Sequence, residues 1–106
     1  MENSFKISGF VGYVTTSAFS SSSVCRFSIA VSRKDKNSEK TTAFINVETW
    51  TKNEEADKLK MIEKGSLLTI EGYFKPEEWT DNDGNKHNNV VWVVTKFYPT
   101  NLKDNQ

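Results

Sequence analysis

The chain has a single cysteine and no long apolar run, and each of these shortages excludes a class of protein. Cys25 has no second cysteine in the 106 residues with which to form a disulfide, as is usual for proteins of reducing compartments. No apolar segment approaches the roughly 20 residues that a membrane helix requires. The first residues lack the basic and apolar stretches of a secretory signal. We therefore predict one small cytoplasmic domain with no membrane partner.

The chain also has no net charge. Lys and Arg together number 14, and so do Asp and Glu, which leaves a formal net charge of zero. Proteins that hold nucleic acid through bulk charge normally carry an excess of cations, because phosphate contacts dominate that kind of binding. If this chain binds nucleic acid, local placement of charge and stacking on aromatic rings must compensate.

The residue sets of enzymes and metal sites are absent from the sequence. The one histidine, His87, lies in a polar segment without cysteine or carboxylate partners at ligand spacing. The stretch 81–85 resembles a calcium loop, but its glycine comes too early and Trp92 stands where a bidentate glutamate is needed. Cys25 falls on a predicted core face, so a reactive thiol is not expected. With no phosphate loop or nucleophile elbow either, we predict no enzyme, no cofactor and no metal.

The most informative stretch is Ala43 to Trp50, which alternates like a strand. One face carries small or branched residues suited to a core. The other face is polar except for two large rings, Phe44 and Trp50, which folding would normally keep from water. A stacking platform for nucleic-acid bases would account for them. The alternative is that a helix or a second subunit covers the two rings.

The remaining segments predict four further strands and one helix. Glycines at 9, 12 and 72 indicate bends of the kind that closing a barrel requires. The helix follows Trp50, with either a capping box from Thr51 to Glu54 or a cap at Asn53, and with a stop at Gly65. The expected strands are 5–14, 24–32, 43–50, 67–74 and 90–98, and 15–23 is expected to be a loop. This order predicts an all-β protein: a five-stranded OB-fold barrel with one helix between strands 3 and 4.

Three details of side-chain placement follow from the same alternation. Tyr13 should share the core face of the first strand with Phe5, Ile7 and Val11. The last strand should carry Val91, Val93 and Phe97 on one face and Val90, Trp92 and Val94 on the other. A strand that is apolar on both faces in a small β protein predicts a core inside and a partner outside.

The connection from Arg33 to Lys40 holds four basic and two acidic residues and is locally positive. It is either a solvated surface loop or a track for a phosphate backbone. Arg26 falls on the outward face of the second strand, and Lys86 lies in the last predicted hairpin, so both are candidate backbone contacts.

The sequence resembles the bacterial-type single-stranded DNA-binding proteins from about Asn3 to Pro99. The stretches that carry the resemblance begin at Asn3, Arg26, Thr42, Lys64 and Trp79, and they read NSFKISGFVG, RFSIAVSR, TAFINVETWTK, KGSLLTIEGYF and WTDNDG. The resemblance implies an OB-fold that wraps single-stranded DNA without sequence preference and assembles as a tetramer or, failing that, a dimer. Carried over by position, it implies stacking on Phe44, Trp50 and Trp79 and basic contacts from Arg33, Lys34, Lys52 and Lys75.

Two departures from that family bear on function. Many members end in a long tail with an acidic, hydrophobic tip, whereas here a domain of residues 1–100 is followed only by a short polar tail at 101–106. Where many members have a further aromatic near the end of the second strand, this chain has Arg33 and Lys34. We expect this exchange of stacking for charge to make binding weaker or more sensitive to salt.

Three functional hypotheses follow. The first is sequence-independent binding of single-stranded DNA in replication, recombination or repair. The second is a tail-less adaptor in a primosome or conjugation assembly, whose exposed rings are covered by a replication or conjugation protein. The third is an RNA-binding barrel of the cold-shock kind, since no feature of the sequence separates DNA from RNA.

Overall fold

The computed structural model describes residues 2–100, which form five strands and one short helix. The strands are β1 (Phe5–Ala18), β2 (Ser22–Lys34), β3 (Lys40–Lys52), β4 (Leu67–Thr80) and β5 (Lys86–Pro99), and a 3₁₀ helix (Asn53–Met61) connects β3 to β4. The strands close into a barrel in the order β1-β2-β3-β5-β4. The predicted fold class is therefore confirmed. The polar tail predicted at 101–106 lies outside the described residues.

One long strand and one short parallel contact close the barrel. The first half of β1 pairs with β4, and its second half pairs with β2, with Phe10 at the change of partner. β3 meets β5 in parallel at Val47↔Trp92 and Glu48↔Val93. Beyond these contacts each of two hairpins continues as a two-stranded arm, the β2–β3 arm (31–43) and the β4–β5 arm (75–91). Because β3 and β5 are parallel at their contact, the arm segments that precede it on both strands extend from it in the same general direction.

The core consists of the inward faces of all five strands together with the helix. Cys25, Phe27 and Ile29 are fully buried on β2, as their alternation predicts, and Ile70 is fully buried on β4. Burial raises the pKa of the Cys25 thiol above its ordinary value, although a hydrogen bond with Thr16 opposes the change. The thiolate is therefore disfavoured, which agrees with a structural role for this cysteine.

Close approach of two backbones explains Gly72. A Cβ atom at this position would overlap the carbonyl oxygen of Val93 and crowd the ring of Phe5. Only glycine lets β4 leave β1 and continue along β5 at this point, so the predicted bend is found where the barrel closes.

Two bulges overturn predicted side-chain placements. The β1–β2 register shifts between Val11 and Val14, and Tyr13 consequently lies 46% exposed rather than in the core. In β5, Glu71 pairs with Lys96 but Gly72 pairs with Val94, so Thr95 is an extra residue. Phe97 is thereby moved to the side of Trp92 and Val94, and all three pack against the core, contrary to the predicted alternation.

The predicted loop at 15–23 is also wrong, because β1 continues to Ala18 and β2 begins at Ser22. Residues 15–18 pair with residues 23–26 across the two strands. The turn is therefore short. Serine-rich composition suggested a loop, but cross-strand pairing with β2 extends the strand through it.

The helix has an apolar stripe but not the predicted cap. Leu59 and Ile62 are buried and Ala56 packs beside the core, which suits a 3₁₀ helix because residues three apart fall on one side. Lys52 is the N-cap residue, and within residues 2–100 no side chain caps this end, so the capping box from Thr51 to Glu54 does not form. Asn53 instead accepts a hydrogen bond from the Ser23 hydroxyl at 2.6 Å and donates one to the Phe19 carbonyl at 2.9 Å.

Both arms end in the same five-residue turn. Asp35 Oδ1 accepts the backbone N–H groups of Asn37 and Glu39, each at 2.9 Å. Asp81 Oδ1 accepts those of Asp83 and Asn85, also at 2.9 Å. The fourth residue has positive φ in each turn, 63° at Ser38 and 84° at Gly84. The aspartate side chain replaces a backbone acceptor, and this explains why both connections are tight.

Candidate nucleic-acid interface

The outer face of β2 and β3 carries the two rings that the alternation singled out. Phe44 is 68% exposed and Trp50 is 47% exposed, whereas Val47 and Thr49 between them are buried. The rings are six residues apart on one strand, or about 20 Å at ~3.3 Å per residue. They therefore lie near opposite ends of one continuous sheet surface.

Small side chains of β2 form the floor between these rings. Ala30 is paired with Phe44, Ser28 with Asn46, and Val24 with Trp50. Because these side chains are short, the rings stand above the sheet and their faces remain accessible to a planar ligand.

Two aromatic residues of β1 were missed by sequence reasoning. Phe10 is 56% exposed and lies in the same cross-strand row as Ala30 and Phe44. The Tyr13 hydroxyl donates a hydrogen bond to Asn46 Oδ1 at 3.0 Å. An unbroken alternation placed Tyr13 inside, and only the bulge beside Gly12 could have revealed it.

A cleft of about 490 Å³ lies at the base of the β4–β5 arm, where β5 meets β3. We call it the arm cleft; it is lined by Tyr13, Arg26, residues 44–48 and residues 89–92. Phe44 forms part of its wall on β3, and Val90 and Trp92 form part of the opposite wall on β5. Arg26 and Glu48, which are paired across β2 and β3, bring one charge of each sign to it.

Trp50 is held by two neighbours. Its ring stacks on Phe19 with the centroids 5.7 Å apart and the planes 23° from parallel. Its indole Nε1–H donates a hydrogen bond to the Glu48 carboxylate. Phe19 belongs to the β1–β2 turn, 31 positions earlier in the chain, so this pair exists only in the folded protein.

Trp79 lies on β4 near the end of the β4–β5 arm and is 53% exposed. The sequence predicted that strand 4 would end at residue 74, so that Trp79 would lie in a loop, and this prediction is wrong. Its ring stacks on His87 at 4.2 Å with the planes 18° apart. His87 Nε2 lies 2.8 Å from Asp81 Oδ2. The histidine therefore has one carboxylate hydrogen-bond partner, because the hairpin brings together residues six positions apart.

The six candidate basic residues are exposed and are distributed over β2, β3, β4 and β5. Arg33 and Lys34 are exposed at the end of the β2–β3 arm, where Lys34 is paired with Lys40. Lys75 forms an ion pair with Glu77 at 3.6 Å and is the candidate whose charge is partly neutralised. Exposed positions on strands are also occupied by Arg26, Lys52 and Lys86.

The geometry brings some candidates together and separates others. Arg26 and Phe44 share the arm cleft. Trp50 lies toward the β1–β2 turn and Trp79 toward the end of the β4–β5 arm. The described residues thus form a chain of separate contact points across the barrel, which suits an extended ligand better than a small molecule.

The Asp81 turn predicts a response to acid. The hydrogen bond with His87, and then the backbone bond from Asn85, lower the pKa of Asp81 below its ordinary value of 3.8. Because the pKa is lowered in the folded state, the turn contributes full stability above pH 3.8 and loses it as the pH falls through the lowered pKa. We expect Trp79 fluorescence to change in that acid range.

Asp81→Asn should abolish this acid transition, and Asp35→Asn in the equivalent turn should leave it intact. If the acid transition in Trp79 fluorescence persists unchanged in Asp81→Asn, the transition does not arise from the Asp81 carboxyl group.

Within residues 2–100, the structure contains no helix whose length and apolarity would let it cross a bilayer.

A closed barrel of five strands in this order, with its helix between β3 and β4 and exposed rings on the β2–β3 face, defines the OB-fold class of oligomer-binding barrels. Comparison with known proteins narrows the class. The chain belongs to the single-strand binding protein family, which it matches over residues 3–99.

A curated relative is the Single-stranded DNA-binding protein 1 of Synechocystis sp., which is 32% identical over 75 residues. The match covers 70% of this chain and 61% of the relative, so a substantial part of the relative has no counterpart in the match.

Proposed function

We propose that this protein binds single-stranded DNA without sequence preference and carries out no chemistry on it. The observation that carries the proposal is the pair of exposed rings, Phe44 and Trp50, on the outer β2–β3 face of an OB-fold barrel. This is the face with which such barrels bind oligonucleotides. Membership of the single-strand binding protein family supports the same conclusion.

Stacking supplies the affinity in this proposal. Phe44, Trp50 and Trp79 each offer a ring to a base, and every base has a π-face, so the contact does not read sequence. The single-stranded DNA runs from the β4–β5 arm, through the arm cleft and along the β2–β3 face to the β1–β2 turn. Small side chains between the rings leave space for the sugar and phosphate groups.

Basic side chains supply the remaining affinity by contacting the phosphates of the DNA. We assign this role to Arg26, Arg33, Lys34, Lys52, Lys75 and Lys86, with Lys75 exchanging Glu77 for a phosphate. Their scattered placement on a chain of zero net charge supports a modest electrostatic contribution. Stacking must then contribute a larger share than in a strongly basic protein.

Titration with oligo-dT tests the proposal. Binding should quench tryptophan fluorescence and weaken as salt is added. The slope of log K against log salt should be no steeper than about −4, because each contact with a single strand contributes ~0.7. Oligo-U run in parallel measures the preference between DNA and RNA. No quenching at micromolar protein and low salt would overturn the proposal.

An adaptor that acts mainly through protein contacts is the second candidate, and one surface favours it. A groove of about 760 Å³ on the β4–β5 arm is lined in part by Glu77, Glu78 and Trp92. Carboxylates repel phosphate but suit a basic protein segment. Feeble oligonucleotide binding, together with a nuclease-resistant pull-down of a replication or conjugation protein, would favour this function over the first.

The broader role proposed is protection of single strands during replication, recombination or repair by a domain spanning residues 1–100 in the cytoplasm. We also propose a homo-oligomer, with a tetramer ahead of a dimer. Family membership is the main support for an oligomer. The apolar outer face of β5 supports it less than the sequence suggested, because Val93 is only 8% exposed and most of β5 is covered within the chain. Light scattering that shows a monomer at high concentration would contradict it.

A further inference from the structure

Both exposed tryptophans are already stacked on one side, and this limits how they can contact a ligand. Trp50 lies against Phe19 and Trp79 lies against His87, in near-parallel geometry in each case. An aromatic ring has two faces, and a stacked neighbour occupies one of them. Each indole therefore has only its other face open to a base.

Hydrogen bonds fix the backbone of Phe19 and the imidazole ring of His87. The Phe19 carbonyl accepts the Asn53 amide at 2.9 Å, and the Phe19 N–H donates to the Ser22 carbonyl at 2.7 Å. His87 is held by Asp81 at 2.8 Å. Asp81 is itself held by two backbone N–H groups of its turn, so the imidazole does not depend only on its contact with Trp79, and the backbone of Phe19 is fixed independently of Trp50.

We propose that Phe19 and His87 are positioning residues of the nucleic-acid site, each covering one face of a tryptophan so that its indole takes a single base on the other face. This inference rests on the proposed function and deepens it. A free indole rotates among several side-chain conformations, and fixing it before binding reduces the entropy that binding must overcome. The covering rings therefore increase affinity without contacting DNA.

The expected effect is measurable. Aromatic pairs contribute enough that Phe19→Ala should weaken oligo-dT binding by roughly 2- to 12-fold, and His87→Ala by a similar factor. Phe19→Tyr and His87→Phe keep a ring in place and should restore most of the affinity. Tyr73→Ala removes another exposed ring, 41% exposed on β4, and serves as the control.

Double-mutant cycles separate positioning from direct contact. If Phe19 acts through Trp50, adding Phe19→Ala to Trp50→Ala should cost less than about 2-fold further, because the ring that it positions is gone. The same holds for His87→Ala added to Trp79→Ala. If Phe19 or His87 stacks on a base of its own, the two losses should multiply instead.

Acrylamide quenching of the free protein provides a readout that does not depend on DNA. Removing Phe19 or His87 should open the second face of the neighbouring indole and increase quenching, while circular dichroism and the melting temperature confirm that the variant is folded. Multiplicative losses, or unchanged quenching, would overturn the inference while leaving the proposed function intact. A wild-type protein that does not bind oligo-dT would overturn the proposed function, and the inference with it.

Discussion

Replacing Trp50 by alanine should weaken single-stranded DNA binding by about 1–3 kcal/mol, a loss of roughly 5- to 150-fold in affinity. The physical reason is loss of a stacking surface that is 47% exposed in the free protein. The same exposure means that the barrel does not depend on this ring, so the variant should remain folded. Fluorescence anisotropy of labelled oligo-dT measures the first effect, and thermal denaturation measures the second.

The control for Trp50→Ala is Tyr73→Ala, which removes a ring of similar exposure that does not line the arm cleft. Its affinity should stay within about 2-fold of wild type. If Trp50→Ala unfolds the protein, the indole is a structural element that covers the 1%-exposed Val24 across the strand pair, and the stacking assignment fails. Unchanged affinity in a folded variant would contradict it equally.

Phe27→Ala should have the largest effect on stability. Phe27 is fully buried at the centre of β2, and truncating a buried phenylalanine costs about 3–5 kcal/mol through lost burial and the cavity left behind. Small domains are stable by only about 5–15 kcal/mol, so the variant should be marginal or unfolded at 37 °C. Urea denaturation followed by circular dichroism measures the loss.

The matched control is Phe10→Ala on the neighbouring strand, where the ring is 56% exposed. Its free energy of unfolding should change by less than about 0.5 kcal/mol, as for an ordinary surface substitution. A loss below about 1 kcal/mol in Phe27→Ala would mean that the core described around β2 does not support the fold.

Alternation was sufficient to predict the central part of the structure. Cys25, Phe27 and Ile29 are buried, and Phe44 and Trp50 are exposed, as period-two patterning predicts. Both strands are regular over these stretches, with unbroken pairing from Ser22↔Lys52 to Lys34↔Lys40. A regular strand preserves its alternation, so local sequence is a reliable guide to which side faces the core.

Prediction failed where the strands are irregular. Tyr13 lies in a bulge and Phe97 follows one, and one extra residue reverses the face of the side chains that come after it. The position of a bulge depends on how a strand is paired with its neighbour, and the local sequence of one strand does not specify this register. Asn53 is a similar case, since its amide bonds to the distant Phe19 and Ser23 instead of capping its own helix in the predicted way.

The sequence by itself determined the fold class, the family resemblance and the outward placement of Phe44 and Trp50, because these depend on element order and on local periodicity. Only the tertiary structure decided that Trp50 lies against Phe19 and Trp79 against His87, and that Arg26 and Phe44 share a cleft with β5. The reason is that barrel closure and hairpin pairing create contacts between residues far apart or on different strands. A candidate site made of such contacts can be suggested residue by residue from sequence, but its geometry exists only after the chain has folded.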